Sequence, residues 1–222
     1  PYADACRRLS WLNTDSRHIC DVAILCEATR LPDRAAKILY RNQRDFNYLE
    51  IRHLWEDARI DSRGIHIGDM VYRALIVDSL SHVPRRVLPK LKKLARQKHL
   101  ILRNDSKLAS VCNGALVYGS PDELRAAVNK ITSPGIVLSP PSENIRCRHV
   151  EKDGDHYFML FNEENSEVRT NISLEIEDSR QYTGQTREWI DPFSGNTTIS
   201  EISEAVDFRP FEMKLLRIAG KK

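Results

Sequence analysis

The chain has 222 residues, 41% of them hydrophobic, which is enough to bury a core and too many for a disordered tail. Its 34 Lys and Arg stand against 31 Asp and Glu, so the formal charge of +3 is near balance and carries no electrostatic footprint of a nucleic-acid protein. Domains usually run to about 100–200 residues, so this length suits one large or two small domains and leaves little room for a (β/α)₈ barrel plus anything else. Apolar runs such as Ala23–Leu25 and Ala74–Val77 are far shorter than the ~20 residues of a spanning helix, and no membrane partner is expected. The start, Pro1-Tyr2-Ala3-Asp4, resembles neither a signal peptide nor an initiator Met, and the chain is expected to be processed or cut from something longer.

Read in chain order, Tyr2–Asn13 sets Ala5, Leu9 and Leu12 on one helical face. Asp21–Glu27 is apolar without alternation, the pattern of a strand buried on both faces of a parallel sheet. Pro32-Asp33 opens a helix with Ala35, Ile38 and Leu39 inward, and Phe46–Trp55 reads as further helix. Arg59–Gly68, alternating around Gly64, and Tyr72–Asp78 read as neighbouring strands. Val87, Leu88, Leu91, Leu94 and Ala95 recur at helical spacing, and His99–Arg103 is extended. Ser120-Pro-Asp-Glu123 predicts a capping box ahead of a stripe of Leu124, Val128 and Ile131. Gly135–Ser139 then reads as a strand that closes the α/β domain, and Ser139-Pro-Pro-Ser142 as a break.

Beyond that break the period becomes two. Arg146, Arg148 and Val150 lead into a turn at Lys152-Asp-Gly-Asp155, His156–Phe161 is a central strand, and Val168–Ile176 alternates almost strictly. Trp189–Gly195 is a strand end plus turn, and Phe208–Ile218 is a last extended piece. The domains are therefore expected at 1–141, α/β, and 142–222, a small all-β sandwich.

Cys6, Cys20, Cys26, Cys112 and Cys147 are odd in number and contain no CxxC pair, so free, mostly buried thiols are expected rather than a zinc cage or a disulfide framework. The seven histidines form no HExxH arrangement. No metal site is expected. The loop Ala28-Thr-Arg-Leu-Pro32 lacks the glycines that let backbone amides approach a phosphate, so no flavin, nucleotide or other cofactor is expected either.

Several phrases carry a family likeness. Arg7-Arg-Leu-Ser-Trp-Leu12 followed by Asp21-Val-Ala-Ile-Leu-Cys26, the pair Gly64-Ile-His-Ile-Gly68 and Tyr72-Arg-Ala-Leu-Ile-Val77, then Asp155-His-Tyr-Phe-Met-Leu-Phe-Asn162 and Trp189-Ile-Asp-Pro-Phe-Ser-Gly195, resemble in order the region that follows the catalytic barrel in large α-L-rhamnosidase-like glycoside hydrolases. The resemblance spans nearly the whole chain. It implies that the first domain is flavodoxin-like, a doubly wound parallel sheet of the sort also seen in some β-galactosidases and in class I glutamine amidotransferases. The implied function is a non-catalytic C-terminal accessory region, partnered by the catalytic barrel of its parent chain, with a possible role in homo-oligomerisation. Periplasmic or secreted bacterial location follows from the same likeness.

Three residues are candidates for chemistry. Ser110-Val-Cys-Asn-Gly-Ala115 is similar to the nucleophile turn of glutamine amidotransferases, which makes a Cys112-dependent enzyme the alternative, although Ser110 replaces the first Gly and no activating His-x-Glu pair follows. Glu27 and Asp78 each end an apolar strand, where doubly wound sheets bind ligands, but helix capping or solvation is the commoner explanation for such carboxylates. The cluster Arg85, Arg86, Lys90, Lys92, Lys93, Arg96 and Lys98 has no interleaved aromatic and is expected to be a solvated helix face, with no nucleic-acid partner. A third reading, a carbohydrate-binding module, would need Tyr157, Phe158, Tyr182, Trp189 or Phe193 as stacking surfaces; core packing is the expectation for them.

Overall fold

The computed structural model describes residues 2–175, 187–201 and 205–220. In chain order its elements are α1 Tyr2–Asn13, β1 Arg17–His18, β2 Val22–Cys26, α2 Arg34–Arg41, β3 Asn47–Glu50, α3 Ile51–Glu56, β4 Arg59–Asp61, β5 Gly64–Ile67, β6 Met70–Tyr72, β7 Ala74–Val77, α4 Leu88–Arg96, β8 Leu100–Arg103, β9 Leu116–Tyr118 and α5 Pro121–Asn129. There follow β10 Ile136–Ser139, β11 Ile145–Lys152, β12 Asp155–Asn162, β13 Val168–Leu174, β14 Arg187–Ile190, β15 Thr197–Ser200, β16 Val206–Phe208 and β17 Met213–Ile218. Contacts divide the chain into two compact units, one of Cys20–Leu39 and Asp45–Ser133, the other of Pro1–Ile19, Tyr40–Arg44 and Pro134–Lys222. Among the described residues no helix is long and apolar enough to cross a membrane.

The α/β unit is built on a five-stranded sheet in the order β3-β2-β7-β8-β9, parallel throughout, which is 2-1-3-4-5 when its own strands are counted along the chain. Alternation within the apolar strands sends their side chains to two cores. Ala23, Leu25, Leu75, Val77, Leu100 and Leu102 pack with Leu54 of α3 and Leu91 and Leu94 of α4. Val22, Ile24, Ala74, Ile76 and Ile101 pack with Ala35 and Leu39 of α2 and Leu124 and Val128 of α5. Helices on both faces explain why β2 and β7 are buried at every position. α5 begins as expected: Ser120 Oγ accepts from Glu123 N and the Glu123 carboxylate returns to Ser120 N, with Pro121 at the first turn.

Three expectations need correction here. Phe46–Trp55 is not one helix: Asn47–Glu50 pairs with Ala23–Cys26 before α3 starts. Apolar residues at 46, 49, 51 and 54 satisfy either reading, and the free edge of β2 decides. Arg59–Gly68 and Tyr72–Asp78 are not simple neighbours, because β4, β5 and β6 form their own antiparallel meander while β7 joins the parallel sheet. Gly64 makes the meander possible: it has φ +133°, and a Cβ there would lie 2.2 Å from the Tyr72 carbonyl oxygen. Finally, β10 does not close the parallel sheet; Ile136–Ser139 pairs antiparallel with Leu174–Asn171 of β13.

The second unit has a six-stranded antiparallel sheet, β1-β11-β12-β17-β14-β15, and a three-stranded one, β10-β13-β16. Ile136, Leu138, Ile172 and Phe208 of the smaller sheet meet Ile145, Cys147, Phe158, Leu160, Leu216 and Ile218 of the larger. The opposite face of the larger sheet is covered by α1, whose Leu9 and Leu12 pack on Val150, Tyr157, Met159 and Leu215. α1 therefore belongs with the β unit, which the 1–141 and 142–222 division did not anticipate. Gln43 ties the Tyr40–Arg44 segment in by donating from Nε2 to the carbonyls of Ser142, 2.8 Å, and Ile145, 2.7 Å. Ile176 and Tyr182 lie outside the described residues.

Candidate functional site

The carboxyl ends of β2, β7 and β8 open into loops that carry two of the candidate residues. Glu27, just past β2, is spent on the loop after β7: its Oε1 accepts from Ser81 N at 2.9 Å, Ser81 Oγ at 2.5 Å and His82 N at 3.1 Å. The Ser81 hydroxyl, more than any other neighbour, holds the Glu27 carboxyl below its ordinary range, and the His82 amide assists. Asp78, which ends the β7 run, is buried. Tyr118 Oη donates to its Oδ1 at 2.7 Å, Ala35 N to its Oδ2 at 3.3 Å, and Arg103 Nη1 stands 3.7 Å away. Burial, with the hydrogen bond to Asp78 adding to it, drives the Tyr118 hydroxyl far above its usual range, so it stays a donor.

Asp78 also lines a cleft of about 410 Å³ between residues 77–83 and 103–108. Arg103 enters it in a forked pair with Asp105, 2.5 Å from each carboxylate oxygen. Ser106 caps the short helical turn Lys107–Ser110 through Leu108 N. Glu27 and Asp78 are thus brought to one edge of the sheet, Glu27 as a brace for a loop and Asp78 as part of a cleft wall. Arg103 and Asp105 were not singled out from the sequence, where the i,i+2 opposite charges at a strand end were the one available signal.

Cys112 is not at that edge. It is 2% exposed within the core formed with Leu91, Leu94 and Leu108, and burial raises its thiol above the ordinary range, the opposite of an activated nucleophile. Asn113-Gly114 does form a tight turn, with Gly114 at φ +96°. None of the five cysteines is in a disulfide, and Cys6 alone among them is exposed. Among the described residues no three His, Cys, Asp or Glu side chains come together as a metal cluster would require.

The basic helix is more engaged than a solvated face. Lys90 Nζ donates to the carbonyls of Ala58, 2.8 Å, and Trp55, 3.3 Å; Lys93 Nζ to Ile60 O, 2.7 Å; Lys98 Nζ to Gly114 O, 3.0 Å. The Arg86 guanidinium lies 4.2 Å over the Trp55 ring. Lys90 and Lys93 thus bind carbonyls at the end of α3, just past it and in the meander, and Lys98 binds the Asn113-Gly114 turn. In the β unit, Phe158 is fully buried, Tyr157 nearly so, and Trp189 packs edge-on to Phe208 while its Nε1 donates to Ser200 Oγ at 2.9 Å. Phe193 alone of the described aromatic candidates is exposed.

No family model matches the chain, and no curated protein matches it. Solved structures do. The rhamnosidase from Novosphingobium sp. PP1Y is similar over 100% of this chain and 24% of its own, with 14% identity and a TM-score of 0.69. The β-galactosidase from Bacillus circulans sp. alkalophilus covers 96% of this chain and 44% of its own at 10% identity and TM-score 0.62. The GH42 β-galactosidase Gan42B from G. stearothermophilus covers 97% and 42% at 11% identity and TM-score 0.62. At these identities the likeness is one of fold, and the chain spans between about a quarter and under half of the length of those structures.

Proposed function

We propose that the chain is a non-catalytic accessory region of a glycoside hydrolase, a flavodoxin-like domain joined to a β-sandwich that braces a catalytic barrel and offers a surface for self-association. The observation that carries the reading is the fold likeness of the whole of this chain to about a quarter of a rhamnosidase chain. The 2-1-3-4-5 strand order with helices on both faces supports the flavodoxin-like assignment. A glycosidase needs two carboxyl groups about 5–9.5 Å apart around a scissile bond, one of them free to donate a proton. Glu27 is engaged as a loop brace instead. An exported, periplasmic or secreted setting belongs to the same reading.

The coding sequence upstream of Pro1 tests this. An in-frame barrel-coding segment is the expected finding; a start codon immediately before Pro1 overturns the proposal. A second test is turnover of a panel of nitrophenyl glycosides by the purified chain. None is expected, and saturable hydrolysis would assign the chemistry to this chain.

A further inference from the structure

We infer that His99 is a proton-operated latch on the β4–β6 meander: the doubly protonated ring holds the β4–β5 turn and the meander's exit at once, and the neutral ring lets the turn go.

Among the described residues β4 pairs with β5 alone, which leaves its other edge without a strand partner. Carbonyls two residues apart on a strand point to the same side, and here three in succession are met by side chains from α4 and the loop behind it. Lys90 Nζ donates to Ala58 O at 2.8 Å, Lys93 Nζ to Ile60 O at 2.7 Å, and His99 Nε2 lies 3.1 Å from Ser62 O. A rank of donors thus stands where a neighbouring strand would. Two of them are ammonium groups; the third is imidazole, the side chain whose charge changes near neutral pH.

A second contact sets His99 apart from the lysines. Its Nδ1 lies 2.6 Å from Arg73 O, in the link between β6 and β7. Both partners are backbone carbonyls, which only accept, so each contact needs an N–H on the ring; a neutral imidazole has one and the imidazolium has two. The ring is presented from a fixed backbone, for His99 N donates to Leu94 O at 2.9 Å and its carbonyl accepts from Leu75 N at 2.8 Å. The shorter contact keeps the remaining proton, so the neutral ring stays on Arg73 O and gives up Ser62 O. Both bonds therefore exist on the acid side of the imidazole range, and one is lost as pH rises through it.

The charged neighbours come from every element that meets the ring. Asp61 and Arg63 flank Ser62, Arg73 carries the other carbonyl, and Lys93 and Lys98 belong to α4 and its end. Asp21, whose carbonyl receives Arg73 N, has its carboxylate on Thr132 Oγ1 at 3.0 Å. Asp61 carries His66 Nε2 at 2.8 Å, and that hydrogen bond, more than any other, holds its carboxyl well below the carboxylate range, so it stays an anion throughout. His66 is the rival imidazole on the meander, and the test separates the two. The latch is a property of the chain by itself and does not rest on the accessory role.

The test combines ¹H–¹⁵N spectra of the imidazole rings with amide hydrogen exchange of the whole chain, each at about pH 5.5 and about pH 8, either side of the imidazole range. On the acid side both ring nitrogens of His99 are expected to carry a proton, and on the alkaline side Nδ1 alone. Over the same step the protection factors of amides in 60–66, corrected for intrinsic exchange rates, are expected to fall about tenfold, the lower end for loss of a hydrogen bond to a charged group. His99→Gln, which cannot change its charge, is expected to abolish the fall, and His66→Gln to retain it. A neutral His99 ring with its proton on Nε2 overturns the inference, and that readout needs no variant. So do protection factors equal at the two pH values, the same fall in H99Q, or its loss in H66Q.

Discussion

The Arg8 guanidinium clasps the turn at Phe193. From α1 it donates to the carbonyl oxygens of Pro192 at 2.9 Å, Phe193 at 2.8 Å and Ser194 at 3.2 Å, while Asp191 holds the turn from within through Phe193 N and Ser194 Oγ. Residues 184 to 186 positions apart are therefore one structural device. Gly195 completes it, because a Cβ there would sit 2.9 Å from the Arg8 guanidinium at a φ of +78°. Replacing Arg8 by Ala leaves three carbonyls to water and is expected to lower stability by about 1–2 kcal/mol, read from urea denaturation. Gly195→Ala should cost a similar amount, and the pair together less than the sum.

Tyr118→Phe removes the hydroxyl that donates to buried Asp78. A hydrogen bond to a charged group contributes about 1.5–3 kcal/mol, so a loss in that range is expected in chemical denaturation. An unchanged midpoint would mean that water or Arg103 takes over at Asp78.

His149 and His156 form a buried pair in the β unit, Nε2 to Nδ1 at 2.8 Å, with His149 stacked on Phe158 at 4.0 Å. Burial, then the charges of His156, His18 and Arg17, holds His149 well below the ordinary 6.5; burial also lowers His156, against the opposing pull of Glu151 and Asp155, with Arg17 adding to the lowering. Both folded-state values lie under the unfolded ones, so the unfolded chain takes up more protons in the window between them. The pair's stabilisation is complete above about pH 6.5 and is lost as pH falls through the folded values. Calorimetric Tm is expected to drop from pH 7 to pH 5, and the drop to be shallower in H149Q. Equal slopes in the two proteins would remove the pair as the cause.

Thiol accessibility gives a quick check of the core. With one exposed and four buried cysteines, a thiol-specific chromogenic reagent should label Cys6 rapidly in the native chain and all five only in denaturant. Rapid native labelling of Cys112 would contradict its burial among Leu91, Leu94 and Leu108.

The parallel core and the helix starts were plain in the residues, because β2 and β7 are buried on both faces and Ser120 has Glu123 three positions on. Strands whose identity depends on a distant partner were not. Asn47–Glu50 looked helical until β2 offered an edge, and Leu116–Tyr118 is too short, with one buried side chain in three, for periodicity to register. The candidate site was half legible. Glu27 and Asp78 were found at the right edge of the sheet, but the reason one braces and the other lines a cleft lies in Ser81, Tyr118 and Arg103, which no local spacing connects.

The three-part make-up of the β unit decides how the molecule can be dissected. A piece cut at the Ser139-Pro-Pro-Ser142 break would carry β11 through β17 yet leave behind α1, the β1 edge and β10. Val150, Tyr157, Met159 and Leu215 would then face water on one side, and β13 would lose its Ile136–Ser139 partner on the other. Such a piece is predicted to aggregate through both surfaces, so recombination or truncation of this chain has to respect the wiring of its sheets rather than the order of its residues.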